Sequence, residues 1–289
     1  MKIWALKKHP PATEDAAYLL GHLASYFPQI AVSHVNETDD KLPSPPDSFG
    51  AVFNYSFHAG SNYLTALDAL AAAHGVPVIN PGNATYRACD KRSYVDDFSA
   101  MAPSTWVARS LEQVTKIQQD VGGELVLKPP FGKHGIDIMR FRGEEDSTAA
   151  LALLSKSPDH GIVVQVFCNG FTEGDKRVIV HRNADGVFEI TAWFARVPPP
   201  GGWITNYRIG GQILPCDLIE DERQLALEVA EIAALDYVGI DLARHEGRCL
   251  LIETNAYTGG HINFDTDRRA NSGDDFAQMV LRIAEMGRA

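Results

Sequence analysis

Asp241, Glu253 and Asn255 stand at the ends of two short apolar runs, residues 238–242 and 250–252, each bounded by glycine or charge as buried strands are. Joined as a hairpin, these runs set the two carboxylates side by side, with the Asn255 amide two residues after Glu253 on the same strand face. Two carboxylates and an amide oxygen are a hard-oxygen set of the kind Mg²⁺ takes together with substrate phosphate. A polar strand end facing solvent is the plainer alternative, and these residues alone leave both open.

Upstream, Lys128 closes the apolar run L-V-L-K-P. A buried ammonium is costly unless it meets an anion, and a nucleotide phosphate would supply one. The loop G-K-H-G follows, comprising Gly132, Lys133, His134 and Gly135. Its glycines let backbone N–H groups approach phosphates closely, although it lacks the P-loop pattern and no helix follows it. A glycine-bearing hairpin turn is the simpler reading of that loop by itself.

Positioning these groups requires an alternation of strands and helices along the chain. Strands are expected at 2–6, 30–35, 51–55 and 76–80, with helices at 13–26 and 63–74 between them, which is a parallel α/β pattern. A helix at 84–100 carries Arg87, Asp90, Lys91 and Arg92, followed by a strand at 103–107 and a helix at 111–119. Residues 124–141 read as a β-hairpin with a functional tip, and 161–167, 173–181 and 188–197 as further strands. A helix at 223–235 precedes the two runs that hold Asp241 and Glu253, so the second half is α+β with mainly antiparallel strands.

With 289 residues and 45% hydrophobic content, the chain can bury a sizeable core and hold two or three subdomains around one cleft. A formal net charge of −11 argues against a nucleic-acid surface. Cys89, Cys168, Cys216 and Cys249 are dispersed without a C-x-x-C pair, which suggests neither a zinc site nor a disulfide framework and fits a reducing cytoplasm. The opening residues are too short an apolar run for a signal peptide, and no later stretch approaches the ~18 apolar residues of a membrane span.

The order of motifs is more specific than any one of them. D-K-R-S at 90–93, Lys128, the glycine loop, Q-V-F, G-D-K-R-V, A-R-V-P, N-Y-R-I-G-G, V-G-I-D and E-T-N-A together resemble the ATP-grasp superfamily. The likeness is to its carboxylate–amine ligase branch, which contains bacterial glutathione synthetase and the ribosomal-protein glutamate ligase. That resemblance implies an N-terminal parallel α/β domain over 1–83, a central ATP-grasp subdomain over 84–165 and a C-terminal one over 166–289, with nucleotide held between the last two.

By the same resemblance Lys91, Lys128 and the loop Gly132, Lys133, His134 and Gly135 contact ATP phosphates. Gln165, Val166 and Phe167 form the adenine hinge, Asp175 lies near the ribose, and Arg177 and Arg196 face the acyl-phosphate and acceptor side. Asn206 sits beside the transferred phosphate, and Asp241, Glu253 and Asn255 hold one or two Mg²⁺ ions, with Mn²⁺ as a substitute. Tyr257, His261 and Asn263 fall on the acceptor side, and S-F-H-A-G-S at 56–61 occupies the place where such ligases touch their carboxylate substrate.

Two positions depart from the branch. Ile204 stands where an arginine is common two residues before Asn206, with Arg208 two residues after it, and Asp137 stands where a glycine often ends the phosphate loop. The implied activity is ATP- and Mg²⁺-dependent ligation of a carboxylate to an amine through an acyl phosphate, on amino acids or small peptides, by a soluble cytoplasmic protein in a possible homo-oligomer. A small-molecule kinase on the same fold, or a nucleotide-binding protein with lost or weak catalysis, are the alternatives.

Overall fold

The computed structural model describes residues 1–8, 14–36, 41–56, 60–132, 135–183, 185–206, 209–258 and 272–286. Three sheets organise them. The first is parallel, in the order β2-β1-β3-β4, from β1 (Lys2–Lys8), β2 (Gln29–Val35), β3 (Ala51–Tyr55) and β4 (Val78–Ile79). Helices α1 (Glu14–Tyr26) and α2 (Ser61–Ala73) make its crossovers, as parallel neighbours require.

The second sheet, β5-β8-β6-β7, is antiparallel and uses β5 (Thr105–Ala108), β6 (Leu125–Lys128), β7 (Met139–Phe141) and β8 (Ile162–Val166). Helices α5 (Leu111–Val121) and α6 (Ser147–Ser155) cover one face, enclosing Leu125, Leu127, Phe141, Leu153, Ile162 and Val164. Helix α5 starts where Ser110 accepts from the Gln113 N–H and stops at Gly122, whose φ of 71° only glycine adopts cheaply.

Sheet three, β11-β10-β9-β12-β13, is antiparallel as well. It is built from β9 (Asp175–Arg182), β10 (Phe188–Val197), β11 (Gln212–Leu214), β12 (Tyr237–His245) and β13 (Arg248–Asn255), with α7 (Glu220–Ala233) and α8 (Ser272–Met286) packed on it. Its inner face shares one hydrophobic core with the parallel sheet, where Ile3, Ala5 and Phe53 meet Val238, Tyr237 and Phe276. Asn80 pins that joint. Fully buried at φ 58°, it accepts from the Asp236 and Tyr237 N–H groups and donates to the Tyr237 and Ala256 carbonyls.

The expected helix over 84–100 is two helices, α3 (Gly82–Cys89) and α4 (Ser93–Asp96). Asp90 breaks it: its backbone turns extended, and its carboxylate takes the Arg92 N–H and guanidinium instead, while the Lys91 N–H reaches across to the Pro130 carbonyl. Strand β11 and helices α6 and α8 were not anticipated. The three residues of β11 are too few for a periodic signal, whereas the pattern of α8 is clear in hindsight, with Phe276, Ala277, Val280 and Ala284 all buried. Among the described residues, no helix is long and apolar enough to cross a membrane.

Candidate active site

The cleft between the second and third sheets collects most of the residues singled out by type. Strands β12 and β13 pair antiparallel, placing Asp241 opposite Glu253 and Gly239 opposite Asn255, so all three oxygen-bearing side chains share a face. That face exists because β13 carries an extra residue: the partners step from Asp241↔Glu253 to Leu242↔Leu251, leaving Ile252 unpaired as a bulge. Without it the alternation would turn Glu253 into the core beside Leu251, and Thr254, which bonds Tyr94 and the Ala88 carbonyl, into the cleft. Glycine is required at 239, since a Cβ there would collide with the Thr258 hydroxyl.

Each carboxylate is already matched by cations. Arg177 grips Asp241 bidentately at 2.7 and 2.8 Å, and Arg196 reaches the same carboxylate at 2.8 Å. Burial alone would push the Asp241 carboxyl up, but the two guanidinium groups pull it down to about 2. Arg196 also pairs bidentately with Asp175 at 2.6 and 2.8 Å, and Thr205 donates to Asp175 at 2.6 Å. Burial holds the Asp175 carboxyl above its ordinary value despite Arg196, with the nearby Asp241 charge adding to the rise. In these pairs both arginines use Nε and Nη2, so each Nη1 edge remains for another anion.

Lys91, on the turn between α3 and α4, donates to the Gly132 carbonyl and pairs with Glu253, both at 2.9 Å. Lys128, at the end of β6, is 7% exposed and donates to Gln165 Oε1 at 2.8 Å, and among the described residues no carboxylate forms an ion pair with it. Burial lowers its ammonium to about 8. Among the described residues, four cations and three carboxylates converge here, a net positive set suited to a polyanion. Gly135 packs its Cα side onto this assembly, since a Cβ there would lie 2.9 Å from Ile204 Cγ2 and 4.0 Å from Asn206 Cβ.

The donor set fits Mg²⁺. Among the described residues no three His, Cys, Asp or Glu side chains are placed to share one metal ion, so Asp241 and Glu253 need the Asn255 amide oxygen and exogenous oxygens to complete a shell. The Asn255 nitrogen is turned toward Asp241 Oδ2 and the Gly239 carbonyl, which directs its oxygen elsewhere.

Several expected residues sit differently. Gln165 spends its side chain on Lys128 and Thr105. The Val166 and Phe167 N–H groups are taken by the Ser104 and Glu124 carbonyls, so the first hinge N–H without a backbone partner among the described residues is that of Cys168. Asp175, expected near the ribose, is occupied by Arg196 and Thr205. Tyr257, expected to face an acceptor, is buried in the joint with the parallel sheet, where its hydroxyl accepts from Asn54 at 3.1 Å. Lys133, His134, Arg208, His261 and Asn263, and residues 57–59 of the S-F-H-A-G-S segment, lie outside the described residues. Thr205 was missed, and only its place beside Asn206 could have flagged it.

Comparison with known proteins places this geometry. Residues 91–258, more than half of the chain, match the family described as prokaryotic glutathione synthetase, ATP-grasp domain. The glutathione synthetase of Vibrio cholerae is 29% identical over 184 residues, covering 62% of this chain and 56% of that protein. The chain thus spans little more than half the length of that relative. The tetrahydromethanopterin:alpha-L-glutamate ligase of Methanocaldococcus jannaschii is 26% identical over 219 residues, covering 73% of this chain and 72% of that one. In structure, the chain is similar to D-cycloserine synthetase DcsG, with a TM-score of 0.74 and 18% identity over 99% of this chain and 100% of the other, a likeness of fold. With the profile match running from the Lys91 turn to the end of the bulged strand's loop, this chain belongs to the family of the prokaryotic glutathione synthetase ATP-grasp domain.

Proposed function

We propose that this chain is an ATP- and magnesium-dependent ligase that joins a small carboxylate to an amine through an acyl phosphate, with amino acids or small peptides as substrates. The observation that carries the reading is the meeting of two buried lysines, Lys91 and Lys128, with a paired Asp241–Glu253 oxygen site and two arginines that keep a free edge. Residues 1–83, 84–165 and 166–289 are taken as its three subdomains; the separate core of the second sheet supports the middle one, although Ala84, Ala88 and Tyr94 pack into the core that the other two share.

In this reading Lys91, Lys128 and the 132–135 loop receive the ATP phosphates, and the Cys168 N–H meets the base. Asp241, Glu253 and Asn255 hold one or two Mg²⁺ ions, and Mn²⁺ suits the same oxygens. An ion held there would offset the charge of the phosphate oxygens.

A substrate carboxylate oxygen attacks the γ-phosphorus, the bond to the β-phosphate oxygen breaks, and ADP leaves. The amine then attacks the acyl carbon, phosphate departs with the C–O bonding pair, and the nitrogen gives up a proton. The Nη1 edges of Arg177 and Arg196 orient the phosphoryl oxygens and stabilise their charge, while Asp175 and Thr205 fix the Arg196 plane. Asn206 is held against the phosphate loop for the same group. That Cys89, Cys168, Cys216 and Cys249 form no disulfide supports a cytoplasmic location.

The test is ADP release with a panel of amino acids and short peptides, comparing wild type with Glu253→Ala. Amide product with stoichiometric ADP supports ligation, a stable phosphorylated product would make it a kinase, and equal turnover in the two proteins would overturn the metal assignment.

A further inference from the structure

The phosphate loop is rooted in a cluster of rings. Phe131, the half-buried residue before Gly132, meets Tyr86 of α3 with centroids 5.5 Å apart, and meets His160, between α6 and β8, edge-on at 6.0 Å and 79°. The Arg92 guanidinium stands 5.8 Å from the same ring, and its Nη1 is 3.3 Å from His160 Nδ1. Arg92 is itself fixed by the Asp90 carboxylate, which takes its Nε and Nη2 at 2.6 to 3.0 Å. Tyr86 packs on the core of the parallel sheet, whereas His160 follows the helix that covers the second sheet, so Phe131 is held from two bodies.

The backbone on either side of this ring fixes Lys91. The Pro130 carbonyl takes the Lys91 N–H and the Gly132 carbonyl takes its ammonium, both at 2.9 Å. The same ammonium pairs with Glu253, also at 2.9 Å. Lys91 is thus shared between a loop carbonyl and a full negative charge, and the charge attracts it more strongly than the carbonyl dipole does. Resting on the ATP-dependent reading above, we propose that Phe131 is a positioning residue for the phosphate site: seated among Tyr86, Arg92 and His160, its ring holds the Gly132 carbonyl where it keeps the Lys91 ammonium on the loop side of the cleft. Phe131 acts through Lys91 rather than on the phosphates. Without the ring, Lys91 settles onto Glu253, and one phosphate cation and one metal carboxylate are neutralised together.

Calorimetric titration of the full-length protein with magnesium tripolyphosphate and with MgADP tests the proposal. Phe131→Ala should weaken both ligands about tenfold, the scale of one good aromatic contact, while Phe131→Tyr, which keeps the ring, should stay within about twofold of wild type. A cycle with Lys91→Met separates positioning from loss of structure: in that background Phe131→Ala should change affinity less than about twofold, because no ammonium is left to place. Should Phe131→Ala not fold, His160→Ala at an exposed position reads the same coupling, with a loss of about threefold that vanishes in the Lys91→Met background. Unchanged affinity in the alanine variants, a full loss that persists without Lys91, or equal losses in Phe131→Ala and Phe131→Tyr would overturn the positioning role while leaving the nucleotide site intact. Wild type that binds neither ligand would overturn the ATP-dependent reading and this proposal together.

Discussion

Asp137 adopts a left-handed backbone at φ 59° and sets its carboxylate 2.5 Å from the Lys156 ammonium on α6, tying the end of the phosphate loop to the second sheet's helical cover. The conformation suits glycine, and an aspartate there carries strain of order 1 kcal/mol. Asp137→Gly should tighten binding of a non-hydrolysable ATP analogue about fivefold, as a carboxylate leaves the approach to the phosphates. Lys156→Ala should weaken it, because the same carboxylate is then uncompensated. Calorimetric titration showing both variants shifted in the same direction would refute this electrostatic account.

Arg196 touches both Asp175 and Asp241, and no lysine can span them. Arg196→Lys is expected to lower kcat by on the order of 10²-fold, with a smaller change in KM, because the lost guanidinium edge acts on charge that develops during the reaction. Steady-state ADP release measures both constants, and a pure KM effect would assign Arg196 to ground-state binding.

Lys128 gives the nucleotide site a pH dependence. Burial lowers its ammonium from 10.5 to about 8, so in the free protein the charge that attracts phosphate is complete below pH 8 and fades above it. ADP affinity should fall as pH rises through 8, and Lys128→Arg, which stays charged, should flatten the decline. Stability runs the other way. Below pH 8 the native state holds a buried charge at a cost, and between 8 and 10.5 it sheds a proton that the unfolded chain keeps, so unfolding free energy rises across that interval. Urea denaturation at pH 7.5 and 9.5 reads the sign.

Asn80→Ala strips partners from the Asp236 and Tyr237 N–H groups and from two carbonyls, and places alanine at positive φ. A loss of about 3–5 kcal/mol is expected, as for a broken buried polar network. Denaturant midpoints would expose a loss under 1 kcal/mol, which would mean that water replaces the amide.

Tyr237 illustrates the opposite case, a fully buried hydroxyl without a hydrogen-bond partner among the described residues, ringed by Phe53, His181 and Phe276. Removing it by Tyr237→Phe should stabilise the protein by about 1 kcal/mol. A thermal shift downward would show that the hydroxyl has a role in the core.

Much of the site was legible because its chemistry is local in sequence. Lys128 at a strand end needs only strand periodicity to be placed, and Glu253 and Asn255, two apart, share a face by the same rule. The break at Asp90 was not legible, because helix propensity continues through it and the competing bonds from Arg92 and Pro130 are tertiary. Nor was the occupation of Asp175, which depends on register between β9 and β10. The bulge at Ile252 hides for the same reason: a slip in alternation inside an apolar run leaves no trace in composition. Tyr257, expected on the acceptor side, is a loop residue drawn into the core, which no local pattern announces.

The two lysines of the cleft ride on different bodies. Lys91 follows α3 and precedes α4, whose Ala88 and Tyr94 are built into the core shared by the first and third sheets, whereas Lys128 belongs to β6, whose Leu125 and Leu127 lie in the second sheet's own core. Among the described residues, Lys91's bonds to Gly132 and Pro130, the Tyr86–Phe131 ring contact, the loop packing at Gly135 and the apolar cluster that joins Val126 to Ala243 and Leu250 bridge them locally. On the proposed reading, a triphosphate touching both ammonium groups would be a clasp as well as a substrate, and its cleavage would divide that charge between two products and so loosen the grip on each.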